Sequence, residues 1–96
     1  MSFTYNVVIQ EDEPSISLPN IFVWIKPSVG TAFINLNKWV QFAAGEAISS
    51  FVAGTYEKTA VVSNVQPTAE LGLIWTDDIN NQSYIYLSTW IPFLAG

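Results

Sequence analysis

The sequence predicts an all-β fold: a small β-sandwich or barrel-like domain built from two tandem antiparallel β-meander repeats. Three observations predict it. First, two tryptophan pairs share one spacing, Trp24 with Trp39 and Trp75 with Trp90, and residues 22–45 lie over residues 73–96 at a constant offset of 51 without a gap. The two segments are identical at Trp24/Trp75, Ile34/Ile85, Leu36/Leu87, Trp39/Trp90, Phe42/Phe93, Ala44/Ala95 and Gly45/Gly96. Like replaces like at Val23/Ile74, Phe33/Tyr84 and Val40/Ile91. Second, the matched segments consist of strand-length runs of β-branched and aromatic residues. Third, turn-forming residues separate those runs at hairpin spacing.

In chain order, Phe3 to Gln10 supplies a first β-prone stretch, and the proline-marked segment from Glu11 through Pro14 to Pro19 reads as an extended connection. Ile21 to Lys26, Thr31 to Leu36 and Trp39 to Phe42 then form a three-stranded meander. Pro27-Ser28-Val29-Gly30 and Asn37-Lys38 are its turns. Residues 46–54 link the copies, and within the stretch from Gly45 to Phe51 a short helical turn and a strand are both compatible with the sequence. Thr55 to Ser63 opens the second copy, and Thr55-Tyr56 matches Thr4-Tyr5. Val65-Gln66-Pro67 through Gly72 connects onward, and Pro67 meets Pro14 if this copy gains two residues and then loses two. A second meander follows, with turns at Asp78-Ile79-Asn80-Asn81 and Ser88-Thr89. The chain reads as a single domain, residues 1–96, with repeat 1 at 1–45, a linker at 46–54 and repeat 2 at 55–96. Units of this size are too small to be counted on to fold apart.

Loop length fixes which side chains share a face. A four-residue first loop pairs Lys26 with Thr31 and sets Trp24 opposite Phe33. A two-residue second loop pairs Leu36 with Trp39 and Phe33 with Phe42. One face then carries Trp24, Phe33, Val40 and Phe42, and the other Val23, Ile25, Ile34, Leu36 and Trp39, so that the two tryptophans of a copy point to opposite faces. The second copy places Leu73, Trp75, Tyr84, Tyr86, Ile91 and Phe93 against Ile74, Ile85, Leu87 and Trp90. A three-residue second loop regroups these sets. Both faces are apolar, unlike those of a solvent-backed antiparallel sheet. One can be covered by the other repeat, and the second calls for another layer, most simply a neighbouring subunit.

Composition agrees. Half the residues are hydrophobic and 11% are charged, against about 25% in an average soluble domain. About 40% of the surface of so short a chain stays wet after folding, which again calls for partner chains. No run of eighteen apolar residues reads as a membrane span, and Met1-Ser2-Phe3-Thr4-Tyr5 lacks the basic and apolar regions of a signal peptide. The net charge is −5, with three lysines and no arginine, a balance that repels nucleic acid. Cysteine is absent, which removes disulfides and thiolate chemistry, and histidine is absent as well.

Candidate chemistry is sparse. Asp77-Asp78 with Asn80-Asn81 offers oxygen ligands for calcium, but without EF-hand spacing. An Asp/Asn-rich hairpin turn is the more ordinary explanation. Glu46, Glu57, Glu70 and Asp77 permit a carboxylate pair of the kind glycosidases use, yet they occupy unrelated places in the two copies. Serine and threonine have no histidine to activate them, and nothing points to a Ser-Lys pair. Glu11-Asp12-Glu13 reads as a solvated loop, or as a docking point for a basic patch. The expectation is therefore a non-enzyme with no catalytic residue, metal or cofactor. The candidate interface or ligand residues are Trp24, Trp39, Trp75, Trp90, Tyr84 and Tyr86. Matched tryptophans favour burial in a core, and Tyr84 and Tyr86, which face Phe33 and Asn35 in the first copy, are the better surface candidates.

The second copy, Gly72-Leu73-Ile74-Trp75-Thr76-Asp77, then Tyr84-Ile85-Tyr86, then Trp90-Ile91, resembles a module of tail-fibre, head-fibre and other virion proteins of tailed bacteriophages. That module has the form Gly-Asp-x-Trp-x-Asp, Tyr-x-Tyr, Trp-Val, with tryptophans bounding a β-hairpin. Leu73 stands where the module usually has Asp, and Ser88-Thr89 replaces its Asn-Gly or Gly-Ser turn. The resemblance spans about 20 residues in each copy, and the first retains Trp24, Phe33 and Trp39-Val40. It implies a non-catalytic β-structured piece of a virion, often packed about a threefold axis. The expected protein is a capsid decoration, head-fibre, tail-fibre or adaptor component, made in the host cytoplasm and located in the virion. Its expected partners are copies of itself, with a trimer favoured, and other virion proteins, without nucleic acid or membrane. The alternative is a carbohydrate-binding module for host-surface glycans, with Tyr84, Tyr86 and an exposed tryptophan as the platform.

Overall fold

The structure is a computed structural model that describes residues 3–15 and 22–95; the expectations that fall on Pro19, on Ile21 and on the Gly45/Gly96 match lie outside these residues. The fold is all-β. Among the described residues, nine strands run in the order β1 (Thr4–Ile9), β2 (Phe22–Lys26), β3 (Thr31–Asn35), β4 (Trp39–Ala44), β5 (Gly54–Thr59), β6 (Val61–Val62), β7 (Ile74–Asp77), β8 (Gln82–Tyr86) and β9 (Trp90–Ala95). They form a five-stranded sheet, β4-β3-β2-β1-β5, and a four-stranded sheet, β6-β7-β8-β9. The stretch from Thr55 to Ser63, read as one strand, divides at the buried Ala60: β5 closes the first sheet and β6 opens the second. The connection between Gly45 and Ala53 is neither helix nor strand.

Both meanders are present, and several features recur at the same offset of 51. The β2–β3 turn leaves a positive φ at Gly30 and the β7–β8 turn one at Asn81, the residue type that tolerates this conformation best after glycine. A Cβ at Gly30 would overlap the Glu46 carbonyl oxygen, so glycine there has a second, steric reason. Lys26 pairs with Thr31 and Trp24 with Phe33, as a four-residue first loop requires.

The second loop has three residues rather than two, and this corrects the expected faces. Asn35 pairs with Trp39 and Ile34 with Val40. A β-bulge then leaves Phe42 unpaired between Gln41 and Ala43, and Phe93 occupies the same place between Pro92 and Leu94. A bulge puts two successive side chains on one side of the strand, so Phe42 and Ala43 both join the interior. Trp39 shares the face of Trp24 instead of opposing it, and Trp90 shares that of Trp75. Val40, Phe42, Ile91 and Phe93 move correspondingly to the inner side.

The interior lies between the sheets. Val7, Ile9, Val23, Ile25 and Ala32 meet Ile74, Ile85 and Leu87, with Phe42 and Phe93 packed edge to face at 4.8 Å. Tyr5 fastens the layers. Its ring is 2% exposed, and its hydroxyl donates to the Gly72 carbonyl at 2.7 Å while accepting from the Ile74 amide at 2.7 Å. Gly72 has a φ of 86°, and a Cβ there would stand 2.9 Å from a Val7 methyl.

The β1–β2 and β6–β7 pairings are parallel, so neither can be made by a hairpin. Each needs a crossover, and residues 10–21 and 63–73 provide it. Of these connections, residues 10–15 and 63–73 are described, and Gln10, Pro14 and Ser63 in them accept hydrogen bonds from indoles; Val8, Phe22 and Trp24, which point away from the second sheet, are 2–5% exposed.

Tyr5→Phe removes both ends of the inter-sheet bridge and strands a buried carbonyl and amide, which costs about 2–4 kcal/mol in urea unfolding. Burial raises the Tyr5 hydroxyl well above its ordinary value. The stability it contributes is present below about pH 10, the unfolded value, and is lost as pH rises beyond it. Tyr5→Phe removes that alkaline component.

Candidate functional site

The six aromatic residues singled out in the sequence all lie on the outer faces, Trp24 and Trp39 on the first sheet and Trp75, Tyr84, Tyr86 and Trp90 on the second. In the first sheet the Trp24 ring stacks on Phe33 at 4.5 Å and meets the Trp39 edge at 5.8 Å, and Phe22 packs against Trp39 at 5.6 Å. In the second, Trp75 stacks on Tyr84 at 4.9 Å and meets Trp90 at 5.6 Å. Tyr86 packs its edge on Trp90 at 5.3 Å. Cross-strand pairing sets these contacts: Trp24 opposite Phe33, Trp75 opposite Tyr84, and Tyr86 opposite Trp90.

Indole nitrogens anchor the crossovers. Trp24 donates to the Gln10 carbonyl at 2.8 Å, and Trp75 to the Ser63 carbonyl at 2.9 Å. Trp39 reaches the Pro14 carbonyl at 2.8 Å. Trp90 has no acceptor, although its indole nitrogen is shielded from solvent. Tyr86 stands where the first sheet has Asn35. Trp24 and Trp75 are 5% and 7% exposed and belong to the packed interior of the fold. Trp39, Trp90, Tyr84 and Tyr86 are half-buried, so the second sheet presents a contiguous run of three partly open aromatic rings.

Matched positions can differ in cover. Leu36 is 61% exposed while Leu87, its counterpart, is 2% exposed. Gly45 and the linker residues Ala47 and Ile48 approach Leu87, which explains its burial.

The acidic residues are spread out. Asp77 uses both carboxylate oxygens inside its own turn, accepting from the Ile79 and Asn80 amides and from the Asn80 side chain at 2.8 Å. These bonds, the Asn80 side chain foremost, hold its carboxyl below the ordinary range. Glu11 accepts from the Ser28 amide at 2.9 Å, and hydrogen bonding to Ser28 lowers its carboxyl likewise. Glu70 pairs with Lys58 at 2.8 Å. Among the described residues no three His, Cys, Asp or Glu side chains gather closely enough to hold a metal ion.

A feature that sequence reasoning missed is an apolar cleft of about 410 Å3 between the sheets, on the side where β4 and β9 approach each other without pairing. No signal in the sequence marks it, because it arises from the gap between two strands that are distant in the chain.

No protein-family model matches this sequence, and no significant match is found among curated proteins or among solved structures.

Trp39→Phe breaks an indole hydrogen bond that Trp90→Phe does not, so the Trp39 variant is less stable than the Trp90 variant by about 1 kcal/mol in chemical unfolding. Asp77 and Glu11 add stability above the ordinary carboxylate value of about 4, and that stability is lost as pH falls through their lowered values. Asp77→Asn flattens this acid limb in thermal unfolding measured from neutral to acid pH.

Proposed function

We propose that this chain is a non-enzymatic structural component of a tailed-bacteriophage virion, a capsid decoration, head-fibre, tail-fibre or adaptor protein, which works through protein–protein assembly. It is made in the host cytoplasm and resides in the virion. The observation that carries the reading is the Trp-bounded meander at two places in the chain, each with its first tryptophan bonded to the crossover above it. Such a unit makes a rigid, largely uncharged body from few residues and presents no activated nucleophile, since histidine and cysteine are absent from the sequence.

The support for self-association rests on different residues from those first expected. The outer aromatic faces are in large part covered by the chain itself. What stays open is aliphatic and sits on turns and connections: Val29, Leu36, Val52, Val65 and Ile79 are each more than half exposed. Exposed apolar side chains on several projecting loops suit contacts with further copies, a trimer foremost, and with other virion proteins.

A second reading, a carbohydrate-binding module for host-surface glycans, is favoured by one specific observation. Tyr84, Tyr86 and Trp90 are partly open aromatic rings on the second sheet, with Tyr86 packed against Trp90.

Light scattering on the full chain at micromolar concentration is expected to show a defined oligomer that Val52→Ser with Ile79→Ser dissociates. A stable monomer would overturn the assembly reading. A glycan array gives the second test: binding that is lost in Tyr86→Ala moves the conclusion to sugar recognition.

A further inference from the structure

The cleft between the sheets has walls of defined chemistry. Val23 and Ile34 form one side, Ile74 with Thr76 and Ser83 the other, and the Phe42–Phe93 pair lies where β4 approaches β9. None of the eight described residues that line it is charged, so neither a carboxylate nor an ammonium group could enter without a desolvation cost that these residues do not offset. Two hydroxyls provide its polar element: Thr76 Oγ1 and Ser83 Oγ lie 2.9 Å apart and hydrogen-bond each other. One of the two must donate to the other, which leaves one hydroxyl hydrogen and spare lone pairs for a third group.

Size selects the occupant. A stable protein interface takes about 20–30 residues from each side, far more than the eight that line this cleft. The volume instead falls in the range of small-molecule pockets, about 300–1,000 Å3. An apolar cavity of about 150 Å3 holds one benzene ring, so about 410 Å3 admits two rings or an alkyl chain of similar bulk. Walls that face an unfilled apolar space lose the dispersion contacts that a ligand of matching shape restores.

We propose that this cleft is a binding site for a neutral, largely apolar small molecule of two-ring size, with one hydroxyl or amine group directed at the Thr76–Ser83 pair. The Phe42–Phe93 contact sits at the bulges that turn both rings inward, and it forms the side of the site at the seam between β4 and β9. The site does not depend on the assembly reading, since it uses inner-face residues and none of the exposed loop aliphatics.

The probe is 1-naphthylamine, a neutral two-ring aromatic with a single amine group, titrated into the full chain. Fluorescence enhancement should saturate at one dye per chain, raise the unfolding midpoint by mass action, and shift amide resonances at Ile34, Phe42, Ile74 and Phe93. Ile34→Trp, at a half-buried strand position, fills the cleft and weakens binding at least about tenfold. Val52→Ser, an exposed site outside the cleft, leaves it unchanged. Ser83→Leu fills the opposite wall and gives the same loss if Ile34→Trp does not fold. Enhancement that fails to saturate, resonance shifts gathered at Val52 and Val65, or full affinity in a folded cleft-filling variant would each overturn the proposal.

Discussion

A strand that lies parallel to its sequence neighbour cannot be joined to it by a tight turn, and much of this structure follows from that constraint. β1 pairs in parallel with β2, and β6 with β7. The chain must therefore leave one end of each strand, travel over a face of the sheet and return at the other end. In doing so it covers the aromatic side of its own sheet, and the first indole of each meander holds it there through a backbone carbonyl. Aromatic rings suit this role because each buries a large apolar area while leaving one N–H for the connection above. Much of the hydrophobic content of this short chain is placed in the sheets and the core between them, while Val29, Leu36, Val52, Val65 and Ile79 stay exposed.

The two sheets are held together unequally along their margins. On one margin the chain itself passes from β5 to β6 through the buried Ala60, so the layers are covalently continuous there. Close by, the Tyr5 hydroxyl ties β1 to the entry of β7 and satisfies two buried backbone groups at once. On the other margin β4 and β9 approach without hydrogen bonds, joined by the Phe42–Phe93 contact. The sandwich is consequently closed at one side and parted at the other. The apolar cleft lies between the two sheets, with a lining that extends from Phe3 and Val23 to the Phe42–Phe93 pair.

The outer face of the second sheet differs from that of the first in ways that bear on function. Among the described residues Trp90 lacks the acceptor that Trp39 has in Pro14, and tyrosines stand at 84 and 86 in place of Phe33 and Asn35. The second sheet thus presents Tyr84 and Tyr86 as partly open rings where the first presents Phe33 and Asn35, so the two outer faces differ in chemistry. That asymmetry fits a protein that meets more than one kind of surface in an assembly.

The sequence by itself determined the all-β class, the positions of the strands and the first hairpin register, because turn residues and β-prone runs act locally. Lys26 opposite Thr31 and Trp24 opposite Phe33 follow from loop length alone. The recurrence at an offset of 51 also located the bounding tryptophans. Only the tertiary structure decided which way those tryptophans face. One extra loop residue and a bulge, neither visible in composition, reversed the side of Trp39, Val40 and Phe42 and of their counterparts. It also decided what covers them. Apolar periodicity reports that a face avoids water, whereas the identity of the covering group depends on strand direction and on contacts between residues far apart in the chain, to which local sequence is blind.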